Sequence, residues 1–273
     1  RQRNWVIFDE QYPQFALDDD TQLKCYALMS RAAKGQNVAP EARNLLVSPP
    51  GYGEACGSLI TALAQIGQFD SNDLWAQIRL AGQSNATGPA RRIALLLGAS
   101  DAKMAQAIDL PALVLAKGPG DSRADHEMYL VAVGRMARST LKLGVVALQK
   151  NLSRLTAQEQ AIGWSNLALQ ASYSLAPEAL EYWQKSSGAP LTQEQLQWKT
   201  RIALREGNWP LVKSTIQAMP ASLRQDPAWV YWLARSLQAE TPGRPNAQAD
   251  KLYRSINDQS NFYGLLANEE LGN

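Results

Sequence analysis

Histidine is nearly missing: His126 is the only one in 273 residues. No histidine-cluster metal site can form, and a Ser-His-Asp arrangement would have to be built on that single ring. Its neighbours Asp125 and Glu127 favour a solvated helix start instead. Cysteine is almost as rare. Cys25 and Cys56, separated by 31 residues, are too few for a zinc site and too distant for a redox Cys-x-x-Cys. A disulfide or two buried thiols remain. If they pair, the loop-entropy model gives roughly 3 to 4 kcal/mol of stabilisation and points to an oxidising compartment. Neither sign of charge dominates: 27 Lys and Arg against 25 Asp and Glu leave a formal charge of +2. The basic residues are scattered, so nucleic acid is dropped as a partner. No apolar run reaches the ~18 residues needed to cross a bilayer, which excludes a membrane-spanning helix. No charged-then-apolar signal segment opens the chain, so a soluble protein is expected, mature or cut from something longer. Alternating apolar and polar runs of β-branched residues are missing too, which removes strands. Gly51 and Gly53, like Gly118 and Gly120, follow no strand and are turn glycines rather than a phosphate cradle. No cofactor and no metal are implied.

What the chain does have is Ala, Leu and Gln in helical periodicity and a recurring tryptophan. Trp164, Trp198 and Trp232 stand 34 residues apart, the length of one helix-turn-helix unit in a stacked array. A helix pair that short cannot cover its own apolar stripe, so each pair must stack on a neighbour, with a large ring filling the groove between them. The expected fold is therefore all-α: a right-handed α-superhelix of stacked helix pairs, a horseshoe or ring-forming solenoid of the tetratricopeptide kind. Two regions are expected, 1–156 with both cysteines and 157–273 with the clear helical hairpins.

Helix signals run the length of the chain. Trp5 to Phe8 begins apolar with no obvious cap, as expected of an interior point of an array. Asp18 to Thr21 supply cap-type residues ahead of Leu23, Cys25, Leu28 and Met29. Pro40 starts a short helix, and Pro49-Pro50-Gly51 reads as a turn. Glu54 to Gly67 forms the next helix, so that a Cys25–Cys56 bond would tie neighbouring helices. Asp70 to Asp73 cap another helix, Gly82 to Pro89 reads as a loop, and helices follow over 90–97, 100–108, 111–115, 123–141 and 143–152. Thr156 and Glu159 look like a capping box, and Thr192 starts the helix that carries Trp198. Pro210, Pro220, Pro227, Pro242 and Pro245 fall at helix starts or between helices.

The last third carries three pieces in order: Trp198, Arg201, Ala203, Leu204, Gly207 and Trp209; then Trp229, Tyr231, Trp232, Ala234 and Arg235; then Phe262-Tyr263-Gly264, Leu266, Ala267, Leu271 and Gly272. This pattern resembles the non-catalytic helical region of the soluble lytic murein transglycosylase family. The resemblance is tight over the last third and loose over most of the rest, through Leu23 to Tyr26, Glu54 to Cys56 and Ile78 to Ala81. Pro242-Gly243-Arg244-Pro245 is more proline-rich than the family's usual turn. The resemblance implies that Cys25 and Cys56 are the family's paired cysteines. It further implies a periplasmic enzyme, a lipid anchor upstream being one variant, in which a ring or horseshoe of helices leads through a linker to a C-terminal lysozyme-like domain. That domain cleaves the β-1,4 bond between N-acetylmuramic acid and N-acetylglucosamine in peptidoglycan, leaving a 1,6-anhydro sugar, with the glutamate of a Glu-Ser dipeptide as acid and then base.

No Glu in this sequence is followed by Ser, and the family would continue beyond Asn273 into its catalytic domain. No catalytic residue is therefore assigned within 1–273, and the region is expected to be inactive alone. Glu269 and Glu270 are adjacent on a helix, do not face one another, and read as a solvated helix end. Trp198, Arg201, Trp229, Tyr231, Trp232, Arg235 and Tyr263 are candidates for glycan contact or for packing between repeats, and their helical spacing favours packing. Arg201 and Arg235, each three residues after a Trp, would stack on those rings or pair with carboxylates. The expected partners are peptidoglycan glycan strands and the catalytic domain of the same polypeptide. The alternative is a tetratricopeptide-like module that binds a protein or peptide.

Overall fold

The computed structural model describes residues 4–15, 20–47 and 51–272. Asp18, Asp19, Pro49 and Pro50, singled out above as cap and turn residues, lie outside them. Among the described residues every regular element is helical, as expected. The chain divides into two compact units, Arg1–Leu167 and Ala168–Asn273.

The first unit holds α1 (Trp5–Gln11), α2 (Thr21–Ala33), α3 (Ala39–Leu45), α4 (Glu54–Gln65), α5 (Ser71–Gln83), α6 (Thr87–Leu96), α7 (Asp101–Asp109), α8 (Pro111–Lys117), α9 (Arg123–Ser139), α10 (Leu141–Lys150) and the first part of α11 (Ala157–Tyr173). Their starts follow from local chemistry. Asp20 accepts the Gln22 and Leu23 N–H groups, Asp70 and Asp73 form a reciprocal capping box, and Ser100 and Ser122 cap α7 and α9. Two starts differ from expectation. Asn4 caps α1 by accepting the Ile7 N–H at 3.3 Å. The loop expected over 82–89 is shorter, because α5 runs to Gln83 and Pro89 sits in the first turn of α6, where a missing N–H costs nothing.

Helix α9 is the hub of this unit. It packs against α5, α7, α8 and α10, and Met128 through Val133 are buried in an unbroken run. Burial on every side explains why its apolar pattern is less one-faced than that of α4 or α5. Arg79 of α5 donates to both carboxylate oxygens of Glu127, at 2.7 and 2.8 Å, with the two side chains only 11% and 4% exposed. Removing one member of such a pair strands the other charge in the core.

Cys25 and Cys56 form a disulfide that joins α2 to α4. The start of α4 has no side-chain cap of its own, since Gly53 stands at that position. Gln22 of α2 serves instead: its Oε1 accepts the Ala55 N–H at 3.0 Å. Bond and borrowed cap hold the same helix end.

The second unit holds the rest of α11, α12 (Ala179–Lys185), α13 (Gln193–Arg205), α14 (Trp209–Gln217), α15 (Ala221–Arg224), α16 (Pro227–Ala239), α17 (Ala247–Arg254) and α18 (Phe262–Glu270). Helices α13 and α14 form one hairpin, α16 and α17 the next, and α14 packs on α16. The Trp183 indole of α12 donates to the Ser172 hydroxyl of α11 at 2.9 Å in a buried contact. Trp232 is half-buried and packs against two cores at once: one contains Leu196, Val212 and Ile216, the other Val230, Ala234 and Tyr253. This is the between-pair position expected of a 34-residue period.

Helix α18 lies on α16 and α17. Its Gly264 is pressed so close to the preceding turn that a Cβ there would stand 2.2 Å from the Gln259 carbonyl oxygen and 2.8 Å from that of Ile256. Both obstacles are backbone, so neither can swing aside. Gly57 in α4 is the opposite case, with nothing within 4 Å of an added Cβ.

Three outcomes are expected in urea unfolding. Replacing Cys25 and Cys56 together by Ala lowers stability by about 3 to 4 kcal/mol; an unchanged midpoint would contradict the tether. Gly264→Ala costs about 1 to 3 kcal/mol through backbone displacement. Gly57→Ala, in a helix interior with open space, gains up to ~1 kcal/mol, and a loss there would show that the space is not open.

Candidate aromatic and basic surface

The seven candidate residues all lie in the second unit and fall into two groups. In the first, the Arg201 guanidinium lies 5.1 Å from the ring centre of Trp198 on its own helix and 5.3 Å from that of Trp229 on α16. Trp198 in turn meets Tyr173 of α11 edge-on at 5.2 Å. The Tyr173 hydroxyl donates to Glu194 at 2.6 Å. One chain of contacts therefore runs from α11 through α13 to α16: a ring edge against a ring, then a guanidinium shared by two rings. Its members differ in access: Trp229 is buried, Trp198 half-buried, Arg201 and Tyr173 exposed.

The second group gathers on α16 and α18. Glu270 forms an ion pair with Arg235 and accepts the Tyr231 hydroxyl at 3.2 Å. The Tyr231 ring packs against Trp232, Tyr253 and Tyr263 at 5.2, 5.8 and 5.7 Å. Tyr231 and Tyr253 are buried, while Trp232, Arg235 and Tyr263 are half-buried. Burial and then the Glu270 charge push both tyrosine hydroxyls up. The Tyr253 hydroxyl has no hydrogen-bond partner among the described residues. Both fates expected for the arginines are realised, since Arg201 stacks and Arg235 pairs. Glu270 is the exposed end of α18, as expected, and in addition accepts from Tyr231 and pairs with Arg235, which ties α18 to α16.

Lys199 was not singled out in the sequence. It shares a stripe with the buried Gln195, Leu196, Ile202 and Ala203, one helical turn to either side, and burial pushes its ammonium down. The apolar stripe itself was the available signal, with one cation interrupting it.

His126 requires a correction. Its side chain is only 15% exposed. Nδ1 lies 3.0 Å from Glu159 Oε1 and Nε2 lies 3.0 Å from the Gly120 carbonyl oxygen. Both neighbours are oxygens that can accept a hydrogen bond from the ring. This ring bridges α9, the turn before it and the start of α11; no serine completes a triad in these contacts. Glu159 also closes the expected capping box, accepting the Thr156 N–H at 2.8 Å. Burial works against its charged form, but the Thr156 N–H and the His126 ring outweigh burial and hold the carboxyl below its ordinary range.

Among the described residues, no cluster of His, Cys, Asp or Glu has the makings of a metal site. No described helix is long and apolar enough to cross a membrane.

The Glu159 contacts have a pH signature. A carboxyl with a depressed folded pKa stabilises fully above its unfolded value, 4.5, and loses that contribution as pH falls through the folded pKa. Glu159→Gln is expected to unfold more easily than the parent at about pH 6 and to converge with it towards about pH 3. Parallel pH profiles would contradict the assignment.

Neither a family model nor a curated protein matches the sequence. Solved structures do. An inactive mutant of the lytic transglycosylase Slt from Pseudomonas aeruginosa matches at 22% identity with a TM-score of 0.51, over 98% of this chain and 46% of that one. The 70-kDa soluble lytic transglycosylase Slt70 of Escherichia coli matches at 18% identity and a TM-score of 0.49, over 98% and 47%. A complex of the 70-kDa soluble lytic transglycosylase with bulgecin A matches at 17% identity and a TM-score of 0.49, over 98% and 46%. This chain thus spans about half the length of the structures it matches. In fold, it resembles the helical architecture of the Pseudomonas aeruginosa lytic transglycosylase.

Proposed function

We propose that this chain is the superhelical, non-catalytic scaffold of a periplasmic soluble lytic murein transglycosylase. In this reading the whole enzyme cleaves the β-1,4 bond between N-acetylmuramic acid and N-acetylglucosamine and releases 1,6-anhydromuropeptides. The catalytic glutamate belongs to a further domain of the same polypeptide. Residues 1–156 form the disulfide-bearing part of the scaffold, and 157–273 the hairpins that lead towards the linker. A disulfide between α2 and α4 suits the periplasm, where such bonds persist.

The observation that carries the reading is the convergence of the three C-terminal sequence pieces on one architecture. Trp198, Arg201 and Trp229 meet across two hairpins, Tyr231 and Arg235 meet at Glu270, and Tyr263 packs on the Tyr231 ring. These are the residues that resemble the lytic transglycosylases in sequence. The chain also shares the fold of one such enzyme over 98% of its length.

Access decides which of them touch glycan. Trp229 and Tyr231 are buried and pack between helices. Arg201 and Tyr173 are exposed, beside the half-buried Trp198. Together they offer what a sugar chain needs: ring faces for its apolar C–H surface, a guanidinium fork and a nearby carboxylate for its hydroxyls.

The test is co-sedimentation with purified murein sacculi. The chain is expected to pellet with sacculi and release no anhydromuropeptides. Tyr173→Ala combined with Arg201→Ala is expected to weaken pelleting by about ten-fold, equivalent to ~1.4 kcal/mol. Failure to pellet, or release of anhydro products by the chain alone, would contradict the proposal.

A further inference from the structure

A second surface lies in the first unit, apart from the aromatic residues above. A groove of about 550 Å³ opens between α4 and α6, within the range of small-ligand sites. We propose that it binds a short, extended peptide of small aliphatic residues ending in a free carboxylate. The inference does not rest on the murein reading.

The two walls differ in chemistry. Ser58, Thr61 and Gln65 of α4 line one side beside Ile60 and Ala62, each about a turn from the next; the Thr61 hydroxyl donates to the Gly57 carbonyl at 3.1 Å and keeps only its acceptor side, while Ser58 and Gln65 add a hydroxyl and an amide. The α6 wall is apolar at Pro89, Ile93 and Leu96, with Arg92 its one charged residue. In an extended peptide alternate side chains share one face and can meet Ile93 and Leu96, while the N–H and C=O groups along one edge can meet Ser58, Thr61 and Gln65. The α4 wall from Glu54 to Gln65 is ~16 Å long at the helical rise, which matches four or five extended residues at ~3.3–3.6 Å each.

Charge picks the terminus. Arg92 lines the groove, is exposed, and makes no ion pair or hydrogen bond among the described residues. A guanidinium without a partner beside an apolar wall matches a single carboxylate. Glu54, on the opposite wall, disfavours a polyanion. A glycan is the poorer occupant because the groove has one aromatic residue, Tyr52, whose ring is nearly buried and whose hydroxyl donates to Gln77 at 2.7 Å. The groove owes its depth to Gly57, where an added Cβ meets nothing within 4 Å.

The probe is N-acetyl-tetraalanine with a free C-terminal carboxylate, titrated calorimetrically into the chain beside its C-terminal amide. Saturable one-to-one binding of the acid is expected, with the amide at least ~10-fold weaker. Arg92→Gln, an exposed change, is expected to bring the acid down to the affinity of the amide. Gly57→Leu fills the groove and is expected to abolish both, with the thermal midpoint unchanged or raised. No saturable binding of the acid, equal affinity for acid and amide, or undiminished binding in Gly57→Leu would overturn the proposal. Sacculus binding by the same Gly57→Leu protein reports on the murein reading separately, because its aromatic surface is untouched.

Discussion

Everything in the second unit depends on one constraint: its helices are too short to hide their own apolar faces. Helices α12, α14, α17 and α18 have 7 to 9 residues, below the length at which an isolated helix holds together in water. Each persists because a neighbour covers it. Large rings complete the cover where hairpins meet, which is why Trp183, Trp229 and Tyr253 are buried and Trp232 touches two cores. The stabilisation is apolar burial and ring contact, and it cannot be divided among single helices.

That constraint left a clear mark in the sequence. The 34-residue spacing of Trp164, Trp198 and Trp232, the capping box at Thr156, the helix start at Thr192 and the prolines at helix starts all speak to local geometry, and local geometry is what propensity encodes. Other features were hidden because they are long-range or unusual. Gln22 caps α4 from another helix, 33 residues away, and no local pattern announces a borrowed cap. Leu175 takes a left-handed φ of 51° after α11, where a glycine would have marked the turn; Arg205 donates to its carbonyl at 2.9 Å instead. The partners of His126 and Glu270 were hidden for the same reason, since Glu159 and Arg235 are 33 and 35 residues away.

In the proposed reading, one set of side chains serves packing and recognition at once. In the Tyr173–Trp198–Arg201–Trp229 chain, the inner ring is buried between helices and the outer groups face solvent. Arg201 holds two rings in place and still presents its edge. Preorganisation of this kind lowers the entropy cost of binding a flexible polymer. The α4–α6 groove is a different kind of surface, with a free guanidinium and no exposed ring platform, so the two units offer distinct chemistries.

Arg201 couples successive hairpins through the faces of Trp198 and Trp229. A double-mutant cycle with Arg201→Ala and Trp229→Leu, read by urea unfolding, tests it most directly. A coupling energy of about 0.5 to 2 kcal/mol is expected. Strictly additive losses would mean that cation and ring are neighbours without interacting, and the hairpins would have to be joined by something else.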